Sequence, residues 1–559
     1  MKMRHLLGMV LLGASLQAGA QDLAQSDKSI YENNPISPIV FCADPTALEY
    51  NGRVYVYGSN DHQQYIANGK TGGNDYGAIK SLVVFSSDDM VNWTFHGTID
   101  VGKLCSSWGW RFAASWAPSV TWRVGPGGTH EFFLYFANSG GSIGVLKATS
   151  PIGPWQSPLS APMIDGNTPG VSPCNWIFDP GVTIDENGVG WIAFGGGDPN
   201  SSGTKLFPGN SRIAKLKINM TSFDGAAVKL PAPYLFEASE LNMMNGRYVY
   251  TYNTSWSDRD DWPSYEKKGN QPAPSTCSMC YMVTDNPLDP DSWEYRGEYV
   301  ANPGSFGFGY GNNHTHLQKF GDDYFLFYHS MMLEQRMNTG ASGFRSIGVE
   351  KAVVDESTQH IDKVTMTTTG AQPVKTLDPY VLQQAETMAN AGGVSYEDIS
   401  NITKVPSINT MGNDASQNMQ VKMAKGSWIM VTNVGFGAEG AKSFSIKAKG
   451  TGKLEIRMVR PNSSTKAIME FSSTDFEEHT IDVDPNVFSG TKKLFLVFTE
   501  ATDVQFDAWQ FSHDSASGIS HVTTSDSQPS AIYDLSGTRL QEKPQGGVYI
   551  QDGKKHIAK

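Results

Sequence analysis

The chain has 559 residues, 43 basic against 56 acidic side chains, and a formal charge of -13. That balance argues against nucleic-acid phosphate or an anionic membrane surface as a partner, and the length argues against a single domain. Aromatic residues make up 11%, with 13 Trp and 22 Tyr, a content that suits aromatic-lined sugar sites and a β-rich core equally.

Residues 1–20 read as a secretory signal. Lys2 and Arg4 form the charged start, Leu6 to Leu12 the apolar stretch, and Ala18-Gly19-Ala20 the small-residue cleavage site. The apolar run is too short to span a bilayer. Gln21 rather than Cys follows the cut, which disfavours a lipid anchor. No other long apolar run follows, so the expectation is an exported protein without a membrane span, in the periplasm, on the cell surface or outside the cell. Gln21 to Asn33 is polar and reads as a loose leader.

From Asp44 a repeat begins. Asp44-Pro45 is followed by Asn51-Gly52 and the strand RVYVYGS. Trp116-Ala117-Pro118 is followed by Gly127-Gly128 and HEFFLYFA. Asp179-Pro180 is followed by Asn187-Gly188 and VGWIAFGG. Glu237 is followed by Asn245-Gly246 and RYVYTYN, and His314 by Gly321 and DYFLFYH. Each unit is a polar or aromatic residue, a short strand, a turn that supplies positive φ, and an aromatic-rich strand. A second signal marks outer turns, in segments ending at Trp93, Trp155 and Trp293.

Five such strand-rich units point to a radial β architecture, a five-bladed propeller. The innermost strands of a propeller start at one end of the central channel. Asp44, Trp116, Asp179, Glu237 and His314 should therefore meet on one axis. An acid before proline is by itself a common turn signal. Three acids at one repeat position point instead to an active site. Glu240 competes with Glu237, but its opposite strand parity should turn it away. His316 shares the parity of His314 and is its alternate.

The chain has five cysteines. Cys277 and Cys280 form C-x-x-C with no second pair to complete a zinc site. In an exported protein a local disulfide is expected there. Cys42, Cys105 and Cys174 are expected as buried thiols.

The propeller pattern spans residues 29–378. A second unit, 379–512, contains strand-like runs at the short spacing of a β-sandwich. Residues 513–559 read as a Ser/Thr/Asp-rich linker and a short hairpin with a basic end.

The segments ADPTALEYNGRVYVYGS, ASWAPSV, WIFDPGVTIDENGVGWIAFGG, FEASELNMMNGRYVYTYNTSW and NNHTHLQKFGDDYFLFYH resemble glycoside hydrolase family 43, a family of five-bladed propellers. The resemblance implies Asp44 as general base, Glu237 as general acid, and Asp179 as the third acid that orients Glu237 and raises its pKa. It implies Trp116 and Arg345 at the sugar pocket, and His314 on the axis beside a calcium or water cluster. In an inverting enzyme of this kind the two working carboxyls stand about 6.5–9.5 Å apart, leaving room for the attacking water.

The QAET start, the Trp428 strand and the FDAWQF end of the second unit resemble carbohydrate-binding modules of family 6. That resemblance implies a structural calcium at Glu386 and Asp507. The Trp usual late in that family's cleft has no clear counterpart, and Phe476 lies nearest. The tail resembles C-terminal sorting tails of some Gram-negative exported proteins.

The implied activity is exo-acting, inverting release of α-L-arabinofuranose from arabinoxylan or arabinan, acting on plant cell-wall polysaccharide without an organic cofactor. The alternatives are a β-xylosidase and a non-catalytic sugar-binding surface protein. The last would be marked by loss of one acid, and all three are present.

Overall fold

The computed structural model describes residues 22–197, 204–264, 271–396 and 419–516, with short strands between 532 and 558. The expected signal at 1–20 and most of the expected linker lie outside the described residues.

The repeat units are the blades of a propeller. Blade 1 runs Ala43–Tyr50, Arg53–Ser59, Leu82–Ser87 and Trp93–Ile99 from the inside out. Blade 2 is Trp116–Val124, His130–Ala137 and Ile143–Ala148. Blade 3 is Gly181–Ile184, Gly190–Phe194, Arg212–Lys215 and Val228–Lys229. Blade 4 is Leu235–Met244, Arg247–Thr254, Met279–Thr284 and Glu294–Val300. Blade 5 is Thr315–Phe320, Asp323–Ser330 and Ser346–Ala352. The five innermost strands touch in a ring, each against the next.

Local sequence explains each blade. The inner hairpins of blades 1 and 4 turn at Asn51-Gly52 and Asn245-Gly246, all four residues at positive φ, the backbone that a two-residue hairpin turn needs. The second strand of blade 2 shows how the layers stack. Phe132, Leu134 and Phe136 pack toward blade 1, and Phe133 and Tyr135 toward blade 3. Alternation across a strand covered on both faces feeds two cores at once. Burying a side chain of this size contributes about 1.5–3 kcal/mol. Trp93, Trp155 and Trp293, marked in the sequence as outer-turn signals, are all buried at the outer edges of blades 1, 2 and 4.

The chain before blade 1 closes the ring. The N–H groups of Ile36 and Cys42 donate to Ile347 and Arg345 carbonyls of blade 5, each at 2.9 Å. The Asn34 side chain bonds both the N–H and the C=O of Val349. The described part of the leader, 22–33, is also packed, contrary to its loose appearance in sequence. Lys28 is buried, and its Nζ donates to Asn33 O at 2.7 Å and Ala389 O at 2.8 Å. Trp428 Nε1 donates to Ala24 O at 2.7 Å. Polar residues pack stably where their donors and acceptors are satisfied, so polarity did not report looseness here.

The second region is a β-sandwich. Its main strands, Asn390–Tyr396, Val421–Gly435, Ser443–Met458, Thr465–Asp482 and Thr491–Ser512, pair antiparallel in one ladder broken by bulges. Bulges let long strands bend from one face of a sandwich to the other. The boundary expected near Asp378 falls within a continuous core. Thr387–Met388 adds a strand to the outer edge of blade 1, pairing with Thr94 and Trp93. Asn92 and Thr432 exchange two hydrogen bonds, at 2.8 and 2.9 Å. Trp93 and Phe327 of the propeller share one apolar cluster with Met388 and Ile429. One compact unit thus runs through Asp514, and a second begins at Ser515. In that second unit, Ile532–Tyr533, Arg539–Leu540, Gly547–Gln551 and Lys554–Ala558 form a small antiparallel sheet. No helix among the described residues is long and apolar enough to cross a membrane.

Candidate active site

A cavity of about 400 Å³ opens where the innermost strands begin. Asp44, Asp179 and Glu237 all line it, with Trp116, His314 and Arg345. The repeat position read from sequence is therefore one place in space. Tyr76, Trp176 and Phe178 supply further aromatic wall.

The backbone at the acids is unusual. Asp44 and Asp179 lie at φ 51° and 46°, and Ala238, next to Glu237, at 61°. The pairing register of the inner hairpin breaks at Ala43/Thr46 in blade 1 and on both sides of Glu237 in blade 4. Non-glycine residues at positive φ carry strain that the surrounding structure must hold, and such residues concentrate at functional sites. In blades 1 and 4 the bulge accompanies the entry of Asp44 and Glu237 into the channel mouth.

The environments of the acids differ. Asp44 Oδ1 accepts from Arg345 Nη1 at 2.7 Å, and its Oδ2 accepts from Ser59 Oγ at 2.6 Å. Burial alone would raise the Asp44 pKa, but the Arg345 guanidinium overrides it and holds the carboxyl far below the usual range. The Asp44 backbone N–H donates to His329 Nδ1 at 3.0 Å, and His329 Nε2 faces the Asn312 carbonyl at 3.0 Å. The same His329 Nδ1 stands 3.1 Å from Asp44 Oδ1, so the ring is held against Asp44 at both its backbone and its carboxylate. Glu237 faces no cation directly. Its Oε1 accepts from Asn253 Nδ2 at 3.3 Å. Burial first, then the negative charge of Asp44, raises it to about 7. Asp179 Oδ2 accepts from the Ala238 N–H at 2.8 Å. Burial, then Glu237, pushes Asp179 well above the ordinary carboxylate value. The site thus offers an ionised carboxylate on one wall and a carboxyl that holds its proton near neutrality on the other, the pairing acid–base catalysis needs.

Arg345 is buried in an ion pair with Asp44 and Asp61. Trp116 Nε1 donates to Tyr76 O at 3.1 Å, which fixes its ring on the wall. Glu240 does not line the cavity. It lies deeper in the channel, fully buried, with its Oε1 3.1 Å from His316 Nδ1 and its Oε2 accepting from Ser119 Oγ at 3.4 Å. Simple parity is not what separates it from Glu237, because the strand is bulged between them.

Sequence reasoning missed Ser59, Asn253 and His329. All three sit at the end of the second strand of their blade, across the hairpin from the site residue. Glu237 pairs with Asn253, and Ala43, beside Asp44, with Ser59. That cross-strand position was the available signal.

The expected disulfide is absent: Cys277 and Cys280 are both free thiols. Cys277 sits at φ 50° in the turn before the strand, and its Sγ donates to Gly311 O at 3.3 Å. Cys280 lies within the strand, in the core shared by blades 3 and 4, and accepts from Tyr295 Oη at 3.3 Å. Their side chains serve different surroundings. Cys42, Cys105 and Cys174 are free as well, the first two buried.

The metal positions can be judged by their donors. Burial lowers His314 to about 3, so its imidazole is neutral, and its buried Nε2 has no hydrogen-bond partner among the described residues. Those residues contain no group of three or more His, Cys, Asp or Glu side chains placed to hold a metal. The axis fits a water-coordinated cation with one protein nitrogen and not a protein cage, since calcium prefers oxygen. In the sandwich, Glu386 Oε2 and Asp507 Oδ1 are buried and unpartnered among the described residues, while Asp507 Oδ2 bonds Lys447 Nζ at 2.8 Å. Two spare hard oxygens fit calcium in kind.

A five-bladed propeller with an acid and a base facing one aromatic-walled cavity defines a glycoside hydrolase. Comparison with known proteins agrees. The model of the glycosyl hydrolases family 43 matches residues 32–346, and that of the carbohydrate binding module (family 6) matches 384–513. An arabinoxylan arabinofuranohydrolase of Bacillus subtilis is 35% identical over 87% of this chain and 93% of its own length. One from Paenibacillus polymyxa is 34% identical over 86% of this chain and 74% of its own. A crystal structure of the Bacillus subtilis family 43 enzyme with cellotetraose superposes with a TM-score of 0.77, covering 89% of this chain and all of that one. The chain belongs to glycosyl hydrolase family 43 and carries a family 6 carbohydrate-binding module.

Proposed function

We propose that this enzyme releases α-L-arabinofuranose from arabinoxylan of plant cell walls, acting on chain decorations with inversion. The observation that carries the chemistry is the opposed setting of two carboxyls lining one cavity, Asp44 bonded to the Arg345 guanidinium and Glu237 only to the Asn253 amide. The similarity to two arabinoxylan arabinofuranohydrolases over most of the chain supports the substrate.

The residues divide the work. Asp44, ionised beside Arg345, takes a proton from water that attacks the anomeric carbon. Glu237, on the other wall, gives its proton to the leaving oxygen. Asp179 accepts from the Ala238 N–H and so braces the backbone next to Glu237. After product leaves, Asp44 loses its new proton to solvent and Glu237 regains one. The aromatic rings of Trp116, Trp176 and Tyr76 offer apolar faces to the sugar.

The signal-like residues 1–20 support export. In the sandwich, calcium would be held by Glu386 and Asp507 and would neutralise two buried carboxylates, a structural role. The family 6 module would hold polymer near the pocket.

The test is product release from 4-nitrophenyl α-L-arabinofuranoside, 4-nitrophenyl β-D-xyloside and arabinoxylan. Free arabinose from the first and third is expected, with slower turnover of the xyloside. Faster hydrolysis of the xyloside would overturn the substrate assignment and leave a glycosidase.

A further inference from the structure

Arg345 is shared between two carboxylates, and only one of them faces the cavity. Toward the cavity, its Nη1 makes a single bond to Asp44 Oδ1 at 2.7 Å. Away from it, Nε and Nη2 donate to Asp61 Oδ2 and Oδ1, both at 2.9 Å. The Arg345 backbone N–H also donates to Asp61 Oδ2, at 3.0 Å. Asp61 is fully buried and does not line the cavity.

The same carboxylate organises a loop. Asn74 Nδ2 donates to Asp61 Oδ2 at 3.0 Å and to Gly343 O at 3.2 Å. Asn74 Oδ1 accepts from the Tyr76 N–H at 3.0 Å. The Tyr76 ring lies 5.0 Å from the Arg345 guanidinium carbon, and the Tyr76 carbonyl holds Trp116. Asp61 thereby ties blade 5, through Arg345, to a blade 1 loop that builds two aromatic walls of the cavity.

We propose that Asp61 is a positioning residue for the hydrolytic reaction: its two-pronged grip on Arg345 limits that side chain to one bond with Asp44. The physical reason lies in donor geometry. A guanidinium free of Asp61 would turn its own fork onto Asp44, because paired parallel bonds to a carboxylate are the preferred arrangement. Ser59 already occupies Asp44 Oδ2. A forked Arg345 would crowd Oδ2 beside Ser59 and leave the base less open to water. With Nε and Nη2 committed to Asp61, Arg345 stays the base's charge partner through one bond to Oδ1, the oxygen that His329 Nδ1 also faces at 3.1 Å, and the guanidinium is kept off Oδ2. The inference rests on the proposed role of Asp44 as base.

The experiment is a double-mutant cycle in the full-length chain, with Asp61→Asn, Arg345→Lys and the pair, reading kcat and KM on 4-nitrophenyl α-L-arabinofuranoside. Asp61→Asn is expected to lower kcat about 10- to 100-fold, the size of a roughly 1 Å misplacement of a catalytic group, with KM changed less than about twofold. In the Arg345→Lys background the same substitution should change kcat less than about twofold, because the fork is already gone. Equal loss in both backgrounds, or a single variant with wild-type kcat, would overturn the proposal. Should Asp61→Asn fail to fold, Asn74→Ala, which leaves both charges in place, takes its position in the cycle with a smaller loss and the same dependence on Arg345. A wild-type enzyme that cleaves only the xyloside would sink the substrate assignment alone, and the cycle run on the xyloside would still decide the role of Asp61.

Discussion

The two walls of the cavity start from the same place in the repeat and end in opposite electrostatic states. Asp44 opens blade 1 and Glu237 lies near the start of blade 4. On the blade 1 side, the end of the neighbouring strand gives a hydroxyl from Ser59, and blade 5 gives Arg345. On the blade 4 side, the same cross-strand position gives only the Asn253 amide, and the nearest addition from blade 3 is another acid. Burial penalises both carboxyls alike, so the difference comes from what each wall contributes against it. A symmetric scaffold supplies position, and the residues opposite and adjacent in the ring decide whether a carboxyl serves as base or acid.

The strongest way to break this comparison is to remove one wall's group at a time. Asp44→Asn and Glu237→Gln should each lower kcat on arabinoxylan about 10²- to 10⁴-fold, with melting temperatures near that of the wild type. Turnover within tenfold of wild type in either variant would remove that residue from the chemistry. The next effect is on stability and lies away from the cavity. Trp93→Ala, at the seam between propeller and sandwich, should cost about 3–5 kcal/mol in denaturant unfolding. A chain ending near Asp378 should fold poorly for the same reason. A soluble, fully active truncated propeller would show that the shared core is dispensable.

The pH dependence sharpens the comparison. The acid works protonated, so kcat/KM on an aryl glycoside should fall as pH rises through about 7, where Glu237 loses its proton. The base works ionised and is held well below the usual carboxylate range, so Asp44 should set no loss on the acid side until below that range. A falling limb confined to alkaline pH far above 7 would contradict the environment assigned to Glu237. Chelation should lower the melting temperature modestly through Glu386 and Asp507 and leave kcat on small substrates almost unchanged; an unshifted melting temperature would remove calcium from the sandwich. The smallest effect concerns Cys277 and Cys280. Reductant should leave the melting temperature unchanged, and a drop of several degrees would restore the disulfide.

Much of this site was legible because the blades repeat. Asn-Gly turns and aromatic second strands fixed the hairpins, and the hairpins fixed which residues begin each inner strand. Ser59 and Asn253 lay one pairing step away, opposite the acids, and His329 at the matching end of the blade 5 hairpin, and an argument from hairpin register would have reached them. Tyr76, Trp176 and Asp61 were hidden for a different reason. They lie in connections that no local period marks: the connection holding Asp61 and Tyr76 is shaped by distant Gly343 and Arg345, and Trp176 is held by an isolated bridge to Gly196. The C-x-x-C spacing misled because sequence proximity does not fix side-chain direction: one cysteine sits in a turn at positive φ and the other within a strand. The leader misled because its polar groups are satisfied by carbonyls more than 300 positions away, as Lys28 is by Ala389.

The central claim is that Glu237 delivers the proton and Asp44 activates the water. Leaving-group dependence separates these roles most directly. A 2,4-dinitrophenolate leaves without protonation, so Glu237→Gln should hydrolyse 2,4-dinitrophenyl α-L-arabinofuranoside at a rate approaching wild type while failing on arabinoxylan. Asp44→Asn should fail on both. Equal loss on the two substrates for Glu237→Gln, or rescue of Asp44→Asn by the activated leaving group, would contradict the assignment of acid and base to the two walls.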